Sequence, residues 1–242
     1  MTTTATATVL HIEVRTSMAQ PTVVITGANR GIGLEFVRQW LERGAVVHAT
    51  FRTEMGGLAE LEHPSLTLHR VDVRSGEDLA AMFERIDGPV DVLVNNAGIS
   101  DGRWSNLESI DLDVALDVLA VNALAPVRVV QHASAKLHHG SKIAMVSSLM
   151  GSIGDCESGR SYAYRASKTA LNMLTVAMKP ELAERGVATV LLHPGWVQTD
   201  MGGPHAPVNA VDSVAGMLAR IDELTVATSG VYRSFDGTHL PW

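Results

Sequence analysis

The sequence predicts an α/β fold: one doubly wound domain, with a parallel sheet of about seven strands and helices on both faces. Three observations lead there. Short β-branched runs alternate with amphipathic helical stretches along the 242 residues. Apolar residues make up 46% of the chain and aromatics only 5%, the aliphatic filling of a parallel sheet covered on both sides. No Pro/Gly/Ser-rich linker and no internal repeat divides the chain. Such alternation carries right-handed crossovers, and ligands of these sheets bind beyond the carboxyl ends of the strands.

Residues 1–20 read as a Thr/Ala-rich extension before a domain at 21–242, and Met18 offers a second reading as the start of the functional chain. Val23–Thr26 is a β-branched run leading into a glycine turn. Gly31–Arg43 has helical spacing through Ile32, Leu34, Phe36, Val37, Trp40 and Leu41, closed by Gly44. Strands are expected at Ala45–Phe51, Leu66–Val73, Val90–Asn95, Lys142–Ser148, Val187–His193 and Gly230–Phe235. Helices are expected at Gly76–Ile86, at Val114–Leu137 with Pro126 as a bend, at Tyr162–Arg185 and at Ala210–Ile221.

The net charge of −7 and the lack of a basic run argue against a nucleic-acid partner. No apolar run reaches the ~18 residues of a membrane span, and the first 20 residues lack the form of a secretory signal. The lone Cys156 excludes an intramolecular disulfide and fits a reducing compartment. The expectation is a cytoplasmic protein.

Tyr164 and Lys168 stand four apart on an expected helix, so their side chains share a face. An ammonium about 4 Å away favours a phenolate by roughly 4 kcal/mol at an effective dielectric of ~20. That equals about three pKa units, enough to make the phenol a general acid/base. Tyr162 has no such lysine and reads as a bystander or as pocket lining. Upstream, Thr26-Gly27-Ala28-Asn29-Arg30-Gly31-Ile32-Gly33 joins a strand to a helix. Its backbone N–H groups and the helix dipole can face a pyrophosphate, as in Rossmann-type domains.

The spacing of that turn, Thr-Gly-x-x-x-Gly-x-Gly, resembles the short-chain dehydrogenase/reductase family, in its carbonyl-reductase and C-factor-like branch. Asn95-Asn96-Ala97-Gly98 matches the family's second motif. Asn122, Ser148, Tyr164 and Lys168 match its catalytic set, and Pro194-Gly195 its motif after strand six. The resemblance covers about residues 21–242. It implies that Tyr164 exchanges a proton with a substrate oxygen while hydride moves to or from nicotinamide, and that Ser148 stabilises that oxygen. Lys168 would hold the nicotinamide ribose and depress the Tyr164 pKa, and Asn122 would hold a water linking Lys168 to solvent. Of the adjacent pair, the family pattern selects Ser148, leaving Ser147 to pack or cap.

The implied cofactor contacts are Gly27, Asn29, Arg30, Gly31, Ile32, Gly33, Arg52, Asp72, Val73, Asn95, Ala97, Gly98, Tyr164, Lys168, Pro194, Gly195, Val197 and Thr199. Phe51 stands where an NAD-selecting carboxylate would fall, followed by Arg52, and Arg30 lies in the glycine turn. Two guanidiniums without a carboxylate favour NADP(H). Asp72 either contacts adenine or caps a turn. The expected function is NADPH-dependent reduction of a small-molecule carbonyl. The alternatives are an NADP(H)-sensing regulatory or signalling protein and an alcohol dehydrogenase working oxidatively.

The segment between Ser148 and Tyr164 is longer than is usual in the family, which places a small loop, with an inert Cys156, beside the substrate mouth. The segment after Thr199-Asp200-Met201 is short, so an open mouth and modest selectivity follow. Trp104, Met150, Trp196 and Met201 are pocket lining or ordinary packing. His193 and His205 share no ligand cluster, so no metal is expected. A homodimer would pair through the two long helices, with Ala166, Ala170, Met173, Ala177 and Met178 facing either the partner or the sheet.

Overall fold

The computed structural model describes residues 20–101 and 106–242; Trp104 and the extension before Gln20 lie outside the described residues. Among these, the strands are β1 (Thr22–Ile25), β2 (Val46–Phe51), β3 (Leu66–Arg70), β4 (Val90–Asn95), β5 (Leu137–Val146), β6 (Ala188–His193) and β7 (Val231–Ser234). They form one sheet in the order β3-β2-β1-β4-β5-β6-β7, every neighbour parallel. The chain winds outward through β2 and β3, then crosses back to β4 on the other side of β1. That reversal opens a crevice at the carboxyl ends of β1 and β4, the usual ligand position in such a sheet.

The helices are α1 (Gly31–Glu42), α2 (Gly76–Glu84), α3 (Leu112–Leu119), α4 (Ala125–Ala133), α5 (Tyr162–Glu184) and α6 (Ala210–Asp222). Alternate residues along each strand point to opposite faces, and both faces are apolar. On one, Phe36, Val37 and Trp40 of α1 and Val214, Met217 and Leu218 of α6 cover Val23, Ile25 and Val47. On the other, Leu79, Met82 and Phe83 of α2, Val129 of α4 and Leu171 of α5 cover Val24, Leu93 and Ile143. The two cores flank the sheet as the sequence predicts. Along α5, Met178 packs against the second core, whereas Ala166, Met173 and Ala177 face outward.

The helix expected over Val114–Leu137 is broken. α3 starts at Leu112, capped by Asp111, whose carboxylate accepts from the N–H groups of Asp113 and Val114. A π-helical turn, Ala120–Leu124, separates α3 from α4. Pro126 has no N–H to offer the Asn122 carbonyl four residues before it, so a regular helix cannot close there. A 3₁₀ turn at Ser134–Lys136 then ends the helical stretch, and β5 begins at Leu137, earlier than expected. Strand β3 ends at Arg70, short of the expected Val73. The Asp72 carboxylate accepts the Arg74 N–H at 2.9 Å and turns the chain towards α2.

His48 of β2 and His69 of β3 are buried with ring nitrogens 3.0 Å apart. Burial lowers both pKa values, that of His69 to about 4, where the neighbouring His48 and Arg85 also act downward; Asp87 opposes the effect at His48. The unfolded chain therefore binds these protons more readily than the folded one. The stability so contributed is complete above the unfolded pKa of ~6.5 and is lost as pH falls towards 4. Between pH 7 and 4.5, His69 alone is expected to account for about 2–3 kcal/mol of lost stability. Denaturant titrations should show His69→Gln losing that much less than wild type over the interval. An equal loss would remove the assignment.

Candidate active site

One cleft of about 920 Å³ runs along the carboxyl ends of the strands. At one end is the glycine turn. Gly27 and Gly31 adopt φ +63° and +54°, and a Cβ on Gly33 would lie 2.3 Å from the Gly27 carbonyl oxygen and 2.5 Å from Asn96 Nδ2. The turn is tied on two sides. Thr50 at the end of β2 accepts the Gly27 N–H on its hydroxyl at 3.1 Å and the Ala28 N–H on its carbonyl at 2.7 Å. Asn96 Nδ2 donates to the carbonyls of Thr26 and Gly27, while Thr26 Oγ1 accepts the N–H groups of Asn96 and Ala97. Asn29, Arg30, Ile32, Val73, Ala97, Gly98, Pro194, Gly195, Val197 and Thr199 also line the cleft.

Asn95 is a correction. Its side chain ends β4 inside the protein, 3% exposed, with neither amide atom partnered, and it does not line the cleft. The strand's two-residue repeat explains this: successive side chains alternate, so if Asn96 faces the glycine turn, Asn95 faces away. Neither Asn96 nor Thr50 was singled out from the sequence, although Asn96 lies within a recognised motif. Asp72 borders the cleft and also turns the chain. The Arg74 guanidinium and N–H hold its carboxyl below the ordinary carboxylate range.

The two arginines differ. Arg52 is exposed at the cleft edge, and its guanidinium makes no ion pair among the described residues. Arg30 instead meets Asp200 across the cleft at 3.0 Å. Both side chains of that pair are about three-quarters exposed (73% and 77%), so water screens it and it holds little energy. A phosphate dianion can take Arg30 from it.

At the other end Asn122, Ser148, Tyr164 and Lys168 converge. Lys168 is buried and donates from Nζ to the Val146 carbonyl at 2.9 Å; Nζ lies 5.7 Å from the centre of the Tyr164 ring. Asn122, fully buried in the π-helical turn, donates to the Ile99 carbonyl at 2.8 Å and to Ser167 Oγ at 3.0 Å, and accepts the Ile99 N–H at 2.8 Å. Gly98 lies beside both Asn122 and Lys168. A Cβ there would stand 3.3 Å from Asn122 Oδ1 and 3.7 Å from Lys168 Nζ. Ser147 Oγ donates to Asn172 Oδ1 at 2.6 Å, while the Ser148 side chain is near enough to the Tyr164 phenol to act downward on its pKa.

The pKa expected for Tyr164 is also corrected. Burial pushes the phenol up, and the Ser148 hydrogen bond opposes this. Helical spacing brings the ammonium near, but the Val146 carbonyl draws it aside, and burial brings Lys168 itself down to about 8. Desolvation of the phenolate outweighs the help Lys168 can give in the protein alone.

The substrate end is lined by Leu149, Met150, Asp155, Ser158, Arg165, His193, Trp196 and Met201. The chain enters α5 through Gly159, Arg160 and Ser161, all in the left-handed region at φ +62°, +58° and +49°. Side chains rarely adopt that conformation. Arg165 braces the entry, donating from Nε to the Gly159 and Arg160 carbonyls and from Nη2 to Ser158 Oγ. His193 is held neutral by burial, down to about 4, and its Nδ1 has no partner among the described residues. Tyr162 and Cys156 are exposed and do not line the cleft. The segment from Trp196 to Val208 folds back on itself, Gln198 N–H to Val208 carbonyl at 2.8 Å, without a helix.

A dinucleotide-sized cleft at the switch point, with a tyrosine, a lysine and a serine at its inner end, is the layout of a nicotinamide-dependent oxidoreductase. Residues 21–209 match the model of the short chain dehydrogenases, and the chain belongs to that family. It is 48% identical over 157 residues to C-signal of Myxococcus xanthus, covering 64% of this chain and 94% of that one. It is 34% identical over 230 residues to 1-hydroxy-2-glutathionyl-2-methyl-3-butene dehydrogenase of Rhodococcus sp. (strain AD45), covering 91% and 99%. Among solved structures, the NADPH-bound carbonyl reductase from chicken fatty liver superposes with a TM-score of 0.84 at 33% identity, covering 92% and 99%. Among the described residues no helix is long and apolar enough to cross a membrane.

Proposed function

We propose that this oxidoreductase reduces an aldehyde or ketone with NADPH, using Tyr164 as the proton donor. The observation that carries the reading is the convergence of Ser148, Tyr164 and Lys168 on the cleft that also holds the glycine turn, with Asn122 fully buried behind them and outside the cleft lining. The turn fits a dinucleotide: Gly33 leaves no room for a side chain beside Gly27, and Arg52 with Arg30 offers guanidiniums for a 2′-phosphate. NADPH, when bound, supplies the hydride.

Tyr164, neutral at physiological pH because burial raises it, gives its proton to the substrate oxygen. Ser148 donates a hydrogen bond to the same oxygen as charge develops. Lys168, anchored on the Val146 carbonyl, keeps most of its charge at pH 7 and favours loss of the Tyr164 proton. Both amide hydrogens of Asn122 are spent on Ile99 and Ser167. The relay water that the family resemblance assigns to Asn122 would therefore not be held by these amide hydrogens. The domain at 21–242, the cytoplasmic location and a homodimer through the stretch that forms α3 and α4 together with α5 belong to the same reading.

Turnover of NADPH and of NADH should be measured on aldehydes, ketones, diketones and quinones. Arg52→Ala is expected to raise the KM for NADPH about 10–100-fold, the worth of one charge-assisted hydrogen bond, with NADH unaffected. Arg30→Ala should cost less, because Asp200 already competes for that side chain. Wild-type enzyme that uses NADH as well as NADPH would end the NADP(H) assignment. The likeness to C-signal favours a second reading, an NADP(H)-sensing or signalling protein. NADPH binding with nothing on the panel reduced would support it.

A further inference from the structure

Tyr232 has no part in the chemistry above, yet it sits directly behind the site. It is the second residue of β7 and is 2% exposed. Its phenol O–H donates to the main-chain carbonyl of Ser148, 84 residues away in sequence. The same oxygen reaches the side chains of Asn172 and Ser147, which are themselves bonded at 2.6 Å. Burial pushes the phenol up to about 12, so it stays protonated. The ring stacks on Trp242, centroids 5.6 Å apart. The Trp242 carbonyl accepts the Gly154 N–H at 2.7 Å and the Ser152 hydroxyl at 3.2 Å. Leu240 N–H donates to the Tyr232 carbonyl at 3.0 Å. One buried phenol thus joins the end of β5, the loop at 152–154 and the segment at 240–242.

Ser148 lies just past the end of β5, beyond the ladder that holds Val146 against Leu192; its carbonyl also accepts the Gly151 N–H at 2.7 Å, and its hydroxyl accepts the Met150 N–H at 3.2 Å. We propose that Tyr232 is a positioning residue for Ser148: by pinning the Ser148 carbonyl it aims the Ser148 hydroxyl at Tyr164. This rests on Ser148 as the working partner of Tyr164, whatever the substrate.

The chain has three tyrosines, so ¹³Cζ-tyrosine labelling yields three ring signals, assigned with Tyr162→Phe. At neutral pH, Tyr232→Phe is expected to move the Tyr164 signal in the same direction as Ser148→Ala, and the double variant should match Ser148→Ala alone. On a carbonyl that the wild type reduces, kcat should fall about 10-fold with the KM for NADPH unchanged. A Tyr164 signal that moves in Ser148→Ala but not in Tyr232→Phe overturns the proposal. So do additive shifts in the double variant, or no shift in Ser148→Ala. The spectrum needs no substrate, so failure of the carbonyl panel overturns the reductase reading and leaves this test standing. Should Tyr232→Phe not fold, Trp242→Ala removes the stacking partner and is read the same way.

Discussion

Replacing Tyr164 by phenylalanine is expected to lower kcat for NADPH-dependent carbonyl reduction by about 10²–10⁴-fold, the usual worth of a positioned proton donor. The ring stays in its place on α5, and only the hydroxyl that faces Ser148 is lost. KM for NADPH should be unchanged. Thermal stability should hold or rise slightly, because a buried phenol is replaced by an apolar ring in a site where burial already disfavours its ionisation. Single-turnover kinetics with saturating NADPH measure the chemical step directly. A variant that keeps more than about a tenth of the wild-type rate would exclude Tyr164 as the proton donor, because general acid catalysis is worth at least ~10²-fold.

The second large effect is expected at Gly33. Its Cβ would meet the Gly27 carbonyl oxygen at 2.3 Å, Asn96 Nδ2 at 2.5 Å and Ala28 Cα at 2.9 Å. Two of those atoms are backbone, which cannot step aside as a flexible side chain would. Gly33→Ala should push the turn off α1 and break the Asn96 bonds to Thr26 and Gly27. Overpacking of this kind costs about 1–3 kcal/mol, or roughly 2–4 °C in Tm per kcal/mol at this size. NADPH affinity should fall at least ~10-fold, since the displaced turn is the one proposed to turn its N–H groups to the pyrophosphate. Gly88→Ala is the control: it has a positive φ, +75°, which Gly33 lacks, and open space around it, so it should cost stability alone. Unaltered NADPH binding in Gly33→Ala, followed by fluorescence titration, would show that the turn does not hold the cofactor.

Most of the fold was legible because each element carries its own signal. The runs at Val23, Ala45, Val90 and Val187 are apolar on both faces, which only a doubly covered parallel sheet satisfies. The helix after the glycine turn is amphipathic, and Leu34, Phe36, Val37, Trp40 and Leu41, which its spacing names, are all buried. Where tertiary or backbone hydrogen bonding intervened, the reading failed. The helix expected from Val114 to Leu137 runs through apolar residues without a break in composition. Only the missing N–H of Pro126 and the π-helical turn around Asn122 reveal the interruption.

The site shows the same division. Tyr164 and Lys168 were found from a spacing of four on one helix. Their electrostatics were not, because the pKa of a phenol depends on desolvation and on where the ammonium turns. Asn95 and Asn96 are indistinguishable in a motif, and strand alternation sends one into the core and the other to the glycine turn. Arg30 and Asp200 are 170 residues apart, and nothing local announces their contact.

By itself the sequence determined the alternation of strands and helices, the glycine turn, the Tyr/Lys pair and the lack of a carboxylate after β2. These are local properties, set by side-chain periodicity, backbone sterics and residue type. Only the tertiary structure decided which faces meet. It buried Lys168 beneath the Val146 carbonyl, committed the Asn122 side chain to Ile99 and Ser167, and brought Tyr232 behind Ser148 from the last strand of the sheet. Contacts between residues distant in sequence depend on strand order and on the path of every crossover, and no window of neighbouring residues encodes that path.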